Sequence, residues 1–235
     1  MLGCESDLDL IMCGKFTAKA SWSEIVDFIW SAPSAEEEDQ RALTYRVMSE
    51  LPVIVRDAEE RCVIRMRWGF PHPDKWQVPQ PIHARSETID TTKAFAQAFR
   101  DGQRGIVLMK NFNEAPDVKG PTIQHVITPG DAAMLAAAFV WRRYDIPGHP
   151  GPLFACVLVT VPANPLIAAL PTDRMPAFLA HEDWGTWLGE RSAGLDKVKA
   201  CLKTVEGVRW TMSREERAKT ARRGEPTVCD PTGLF

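Results

Sequence analysis

The sequence lacks the features by which secreted, membrane and cofactor-dependent proteins are usually recognised. Residues 1–11 are acidic and have neither the basic start nor the apolar run of a signal peptide, and no stretch approaches a membrane span. The chain has no Walker phosphate loop, no dinucleotide fingerprint and no ligand spacing typical of zinc. We therefore expect a soluble, cytoplasmic protein that uses no cofactor and no metal, with a monomer as the expected state.

Paired cysteines and an excess of positive charge are also missing. The six cysteines are scattered along the chain, which is typical of a reducing compartment. The formal net charge is −3, so composition gives no general signal for nucleic-acid binding, and any such site must be a local basic patch. With 235 residues, of which 45% are hydrophobic, the chain can bury a full core within one domain.

Short apolar and alternating segments predict more strands than helices. Strands are predicted at 51–55, 62–68, 106–109, 122–127, 135–141 and 154–161. Helices are predicted at 21–30, at 90–100 with Phe95 and Phe99 facing inward, and at 182–188. Because the strands do not alternate strictly with helices, we expect the α+β class, with a mainly antiparallel sheet curled into a barrel-like core and helices at its flanks.

Residues 62–68 alternate, and the stretch that follows them is rich in proline. The alternation predicts one apolar face and one basic face formed by Arg65 and Arg67, which is either a solvated face or an additional contact to a nucleic-acid backbone. The segment 69–81 contains four prolines, so it must be a loop. Loops of this kind often carry function.

Cys13 follows Met12 directly, and removal of that methionine would give it a free α-amine beside its thiol. Such a 1,2-aminothiol captures aldehydes, because the amine forms an imine and the thiol then closes a thiazolidine ring. The alternative is an ordinary buried cysteine. Residues 1–11 are interpreted as an N-terminal extension, either a mis-called start before a true initiator at Met12 or a processed leader.

Five segments occur in the order found in one known family. They are Met-Cys-Gly-Lys-Phe at 12–16, Trp-Gly-Phe at 68–70, His-Ala-Arg-Ser-Glu-Thr at 83–88, Asn-Phe-Asn-Glu-Ala at 111–115, and Thr-Asp-Arg-Met-Pro at 172–176. With these segments the sequence resembles the SOS response-associated peptidase family, also called abasic-site processing or SRAP proteins. The resemblance implies the SRAP fold over residues 12–212, followed by a charged tail at 213–235.

The resemblance also implies a reaction. Family members expose the cysteine as residue one and link it to the ring-opened aldehyde of an abasic site in single-stranded DNA, in the response to DNA damage. Here that residue is Cys13, and Glu114 matches the family's general acid and base. The alternative for Glu114 is a surface carboxylate in a loop. A second implied activity is self-cleavage of the Met12–Cys13 bond, again assisted by Glu114.

DNA binding requires cations for phosphates and flat faces for bases. The basic positions that match the family are Lys15, Arg85 and Arg174. The aromatic residues predicted to stack on unpaired bases are Trp68, Phe70 and Trp76. The alternative for these aromatic residues is an ordinary place in the core, above all for Trp68, which lies on the apolar side of its strand.

Several positions depart from the family pattern. Thr172 replaces a histidine that assists formation and reversal of the crosslink, and His83 replaces an asparagine that orients the aminothiol. One hypothesis is that His83 takes over part of the missing histidine's role; the alternative is a hydrogen-bonding substitute for asparagine. Because Arg46 and Ala115 also differ, a third interpretation is a family member that binds single-stranded DNA or a partner without chemistry.

Overall fold

The computed structural model describes residues 15–18, 43–115, 123–130, 134–170, 172–207 and 209–215. The strands in these ranges are β1 (Lys15–Ala18), β2 (Leu43–Arg46), β3 (Glu50–Asp57), β4 (Glu60–Trp68), β5 (His83–Arg85), β6 (Arg104–Met109), β7 (Asn111–Glu114), β8 (His125–Thr128), β9 (Leu135–Tyr144), β10 (Leu153–Pro162), β11 (Arg174–Pro176) and β12 (Thr211–Arg214). The α-helices described are α1 (Ala96–Arg100), α2 (Trp184–Trp187) and α3 (Leu195–Lys199), and two 3₁₀ turns cover Ile167–Ala169 and His181–Asp183.

Five strands close into a barrel in the order β10-β4-β3-β6-β9, with β9 pairing back to β10. Every pair in this ring is antiparallel except β4 with β10. One edge of β10 pairs with β9 and then β11, and its other edge with β4 and then β5. The predicted α+β class with a barrel-like antiparallel core is confirmed, and β10 is the strand on which most of it converges.

A second sheet of five strands, in the order β12-β8-β7-β1-β2, packs against the barrel through aromatic side chains. Phe16 on β1 lies opposite Phe112 on β7, and both side chains are fully buried. The Phe16 ring is 5.5 Å from the ring of Trp68 at the end of β4. This contact joins the small sheet to the barrel and fixes where β1 begins relative to the other elements.

The predicted helix at 90–100 is wrong in extent. Only Ala96–Arg100 is α-helical, although Phe95 and Phe99 are buried as predicted. The residues before it form turns in which the amides of Thr91 and Thr92 both donate to the Thr88 carbonyl. Threonine and aspartate compete locally with helical hydrogen bonding, which explains the late start. The helix predicted at 182–188 is a 3₁₀ turn followed by α2, and the helix predicted at 21–30 lies outside the described residues.

The predicted basic face of β4 is only half correct. Arg65 is exposed, but Arg67 is buried because the proline-rich loop folds back over it. The loop begins and ends as a narrow antiparallel pair, in which the Phe70 amide donates to the Pro81 carbonyl and the Gln80 amide to the Phe70 carbonyl. The solvated-face interpretation is therefore right for Arg65 and wrong for Arg67.

The last described strand, β12, pairs with β8 and so continues the small sheet beyond residue 212. Ser213 and Arg214, which the sequence assigned to a charged tail, lie in this strand, and residues 216–235 lie outside the described part of the chain. Among the helices of the described residues, none is long and apolar enough to span a bilayer.

Candidate functional site

Glu114 ends β7, the central strand of the small sheet, and its side chain is fully buried. It shares a face of the strand with Phe112, whose ring packs against Phe178 and Trp210 at 5.4 Å and 5.9 Å. The Ala115 amide donates to Glu114 Oε1 at 3.3 Å. The surface-carboxylate alternative for Glu114 is therefore wrong, because this acid lies inside the protein.

The beginning of β1 lies beside the end of β7. Lys15 is directly opposite Asn113, the residue before Glu114. The Lys15 ammonium forms an ion pair with Glu215, which follows β12. Lys15, which was predicted to bind a phosphate, is therefore paired with a carboxylate in this structure. Cys13, the predicted nucleophile, lies outside the described residues.

Asn113 is a residue to which the sequence analysis gave no role. It is 2% exposed, and its Nδ2 amide has no hydrogen-bond partner among the described residues. A buried amide without a partner is uncommon in native proteins. The sequence contains one indication of a role for Asn113, its position between Phe112 and Glu114 in the 111–115 segment. A strand that is buried on both faces leaves no position for a solvated polar side chain.

Arg174 is buried at the start of β11 and makes an internal ion pair. Its two terminal nitrogens bind the two carboxylate oxygens of Glu87 at 2.7 Å and 2.8 Å, and Nη2 also donates to the Thr160 carbonyl at 2.7 Å. The hydrogen bond from Arg174 is the main cause that lowers the pKa of the Glu87 carboxyl. A direct phosphate contact through Arg174 would require this pair to open.

Glu87, the partner of Arg174, was not predicted from the sequence. The available signal was an acid inside a segment otherwise predicted to bind phosphate, since a carboxylate at such a position repels the ligand unless a base pairs with it. The pair connects β11 to the turn that follows β5, and Thr160 lies opposite both Arg85 and Pro176 on the two edges of β10. Arg174 thus fixes two strands of the candidate site against a third.

Arg85 and His83 lie on β5, and their surroundings differ. Arg85 is exposed, and among the described residues its side chain has no hydrogen-bond or ion-pair partner, as a phosphate contact requires. His83 is half-buried, with its ring 6.5 Å from the Trp68 ring in an edge-on arrangement. Thr172, two residues before Arg174, is 9% exposed, and its amide donates to the Leu170 carbonyl.

The three aromatic residues predicted to stack on bases are placed differently. Trp68 is fully buried between Phe16 and Phe139, and its Nε1 donates to the Ile82 carbonyl at 3.3 Å. Phe70 is 2% exposed. Both rings therefore fit the core alternative and present no face at the surface. Trp76 is half-buried and reaches the surface beside His149.

No group of three or more His, Cys, Asp or Glu side chains among the described residues is arranged to hold a metal ion. The described cysteines are Cys62, Cys156 and Cys201, and burial raises the thiol pKa of each. None of these three is therefore activated as a thiolate nucleophile.

Comparison with known proteins gives a consistent result. A sequence model of the family described as "SOS response associated peptidase (SRAP)" matches residues 12–216. The Bacillus subtilis abasic site processing protein YoaM is 27% identical over 197 residues, covering 81% of this chain and 85% of its own length. YoqW, an abasic site processing protein of the same organism, is 24% identical over 200 residues, covering 83% of this chain and 88% of its own length.

Solved structures share the fold. A crystal structure of a Bordetella bronchiseptica protein superimposes with a TM-score of 0.70 at 21% identity, covering 87% of this chain and all of that chain. A Bacteroides thetaiotaomicron protein gives a TM-score of 0.64 at 19% identity, covering 74% and 77% of the two chains. The family match spans most of the sequence, and this chain belongs to the SOS response associated peptidase (SRAP) family.

Proposed function

We propose that this protein processes abasic sites in single-stranded DNA by forming a covalent bond through Cys13. The observation that carries the proposal is the pairing of Lys15 with Asn113, which sets the start of β1 beside the buried Glu114. Consecutive Cα atoms are 3.8 Å apart, so chain connectivity keeps the Cα of Cys13 within about 7.6 Å of that of Lys15. This tether allows Cys13 to reach the buried acid, which supports the proposal.

The reaction requires that Cys13 begin the mature chain. Its α-amine attacks the aldehyde of the ring-opened sugar, and loss of water leaves an imine. The thiol then adds to the imine carbon while its proton passes to the nitrogen, which closes a thiazolidine. Because the reference pKa of an α-amine is about 7.7–8.0, part of the amine is neutral at pH 7 and able to attack.

Glu114 is the proposed general acid and base. Sugar ring opening and imine formation both move protons between oxygen and nitrogen atoms, and a carboxyl held near the reacting amine can shuttle them. Its complete burial supports this role, since a carboxyl in a protein interior is removed from bulk water and held in one orientation.

His83 and Arg85 are the proposed contributors from β5. Exposed Arg85 contacts a phosphate of the damaged strand, and half-buried His83 exchanges protons during formation or reversal of the adduct, a role that Thr172 cannot fill. A His83→Ala variant that forms and reverses the adduct at the wild-type rate would remove His83 from the mechanism.

The test of the proposed function uses a chain translated from Met12, so that methionine removal exposes Cys13. It is incubated with single-stranded DNA carrying one abasic site, and the products are separated under denaturing conditions. We expect a denaturation-resistant adduct that is lost with Cys13→Ala and formed about 10²–10⁴-fold more slowly with Glu114→Gln. Cys62→Ser, at a half-buried cysteine elsewhere, is the matched control and should leave the rate unchanged.

The same samples separate the alternatives. A self-processing peptidase predicts that the chain starting at Met1 loses residues 1–12 on incubation, in a reaction that depends on Glu114, as intact mass would show. A binding protein without chemistry predicts retention of the abasic strand on a native gel but no adduct after denaturation. Either result in place of the adduct contradicts the proposed crosslinking.

A further inference from the structure

Arg67 and Arg142 lie on the same face of the barrel, separated by one small residue. Ala155 of β10 pairs with Arg67 of β4 on one side and with Arg142 of β9 on the other. Residues directly opposite each other on neighbouring strands point to the same face of a sheet. The side chains of the two arginines therefore flank the Ala155 methyl group and face the same space.

Neither guanidinium has a counter-ion in the described part of the chain. Arg67 is 6% exposed; its Nε donates to the Gly69 carbonyl and its Nη1 to the Trp76 carbonyl, while its buried Nη2 has no partner. Glu50, opposite Arg67 on β3, is exposed and forms no ion pair with any residue that the structure describes. The nearby Asp145 pairs with Arg143 instead.

An arrangement of this kind is unfavourable without a ligand. Two neighbouring cations repel each other, and a buried guanidinium without a carboxylate retains most of its desolvation cost. Burial lowers the pKa of Arg67, although an arginine stays charged at neutral pH. An anion that bound both groups would remove the repulsion and give Nη2 an acceptor.

Tyr144 supplies a third hydrogen-bond donor beside Arg67 and Arg142. It lies two residues beyond Arg142 on β9, and the Arg142 guanidinium sits 5.4 Å from the centre of its ring. Burial raises the pKa of Tyr144 to about 12, while the charges of Arg142 and Arg67 act on the hydroxyl in the opposite direction. The hydroxyl is therefore protonated at neutral pH, is close to both guanidinium groups and can donate a hydrogen bond.

We propose that Arg67, Arg142 and Tyr144 form a phosphate subsite that binds a backbone phosphate of DNA outside the reaction centre. The choice of DNA as the source of the phosphate rests on the proposed function. The subsite lies on the face of β4 opposite to Trp68. Ala155 precedes Leu158, the residue opposite His83, by three positions, or about 10 Å along β10. Because Ala155 and Leu158 point to opposite faces of β10, a strand held near His83 reaches the subsite only by continuing around the rim of the barrel.

The main test measures binding of undamaged single-stranded DNA, which cannot form the covalent adduct, by fluorescence anisotropy at several salt concentrations. For Arg142→Gln we expect about tenfold weaker binding, from loss of one charge-assisted contact. The slope of log affinity against log salt should fall by about 0.7, the value for one phosphate on a single strand. Equal affinity and equal slope for the variant and the wild type would overturn DNA as the ligand of the subsite.

Arg143→Gln is the matched control. Arg143 is the next residue on β9, points to the opposite face and is exposed in a pair with Asp145. The same charge is removed one position away, so a general electrostatic effect would weaken binding in both variants. If Arg143→Gln lowers the affinity and the salt slope as much as Arg142→Gln does, the specific subsite is wrong.

A second variant, Arg142→Glu, tests the missing counter-ion directly. A carboxylate at this position faces Arg67 across Ala155, so we expect the melting temperature to rise by about 2–4 °C while DNA affinity falls further than in Arg142→Gln. A lower melting temperature together with unchanged DNA affinity would show that the two arginines do not share an anion site.

Inorganic phosphate distinguishes the two sources of the ligand. If the subsite takes free phosphate, phosphate salts should raise the melting temperature of the wild type more than chloride of equal ionic strength does, and Arg142→Gln should abolish the difference. If it takes DNA phosphate, the loss of oligonucleotide affinity described above appears. Absence of both effects overturns the subsite, whereas failure to form a covalent adduct with abasic DNA counts only against the proposed function.

Discussion

Arg174 and Arg67 are both deeply buried, at 6% exposure each, and their surroundings are opposite. Arg174 binds a carboxylate with both terminal nitrogens and a carbonyl with one of them. Arg67 donates to two carbonyls, its buried Nη2 has no partner among the described residues, and Arg142, two strands away on the same face, is also a cation. Arg104, at the same exposure, donates to two backbone carbonyls. Burial and carbonyl partners therefore do not by themselves reveal the role of an arginine; Arg67 differs in having a buried donor without a partner and a second cation on the same face.

The largest effect on the free energy of unfolding is expected for Arg174→Met. The substitution removes four hydrogen bonds to Glu87 and Thr160, two of them between charged groups, and leaves a carboxylate without its base. We expect the free energy of unfolding to fall by about 2–3 kcal/mol, since bonds to charged groups are among the strongest in proteins. Urea denaturation at pH 7 measures this free energy. If Arg174→Met lost less stability than a variant that breaks an exposed pair such as Arg143–Asp145, the proposed structural role of Arg174 would be contradicted.

A smaller effect is expected for Glu87→Gln, and it should depend on pH. The folded-state pKa of Glu87 is lowered, so the stability it contributes is present above its unfolded pKa of about 4.3 and is lost as the pH falls through the folded value. Because 47% of the side chain is exposed, solvent screening limits the contribution to about 1 kcal/mol.

The check is the difference in unfolding free energy between wild type and Glu87→Gln at pH 7 and at pH 3. That difference should shrink toward zero at the lower pH. Glu59→Gln serves as the control, because the Glu59 side chain is 90% exposed in its pair with Arg56. If the difference for Glu87→Gln were the same at both pH values, the ion pair with Arg174 would not be the cause of the stability change.

The smallest effect is expected for Arg67→Met. Replacing a buried cation that lacks a counter-ion by an apolar side chain of similar length removes two hydrogen bonds to carbonyls but also removes the desolvation cost and the repulsion from Arg142. We expect a change of less than about 1 kcal/mol in the free energy of unfolding. Chemical denaturation of Arg174→Met and Arg67→Met side by side measures the two losses, and equal losses would contradict the different roles of the two arginines.

Strands were predicted correctly from the sequence where the strand's own alternation or apolar run determines its position. The strand at 62–68, the two long apolar strands and the inward positions of Phe95 and Phe99 all follow from local periodicity. The short strands β1, β2 and β12 were not predicted from it, because four residues carry too little pattern and their stability comes from neighbouring strands.

The sequence predicted several residues of the candidate site but not their burial or their partners. The segment resemblance singled out Glu114, but its burial follows from pairing on both edges of β7, which no local pattern contains. Arg174 was assigned to phosphate because its partner Glu87 is 87 residues away in sequence. The burial of Arg67 could not be predicted from the alternation of its strand. It results from the proline-rich loop, which folds back so that the Trp76 carbonyl accepts a hydrogen bond from the Arg67 guanidinium.

Strand β10 has hydrogen-bonded partners on both edges, and these partners include β5 and β11, which carry His83 and Arg174. Its amides should be among the slowest in native-state hydrogen exchange, since they exchange only when several ladders break together. β5 and β11 contribute only three residues each, so their ladders to β10 should open more readily than the longer ladder between β10 and β9. We therefore expect movements around His83 and Arg174 to involve these short strands and the loops next to them, while β9 and β10 stay paired.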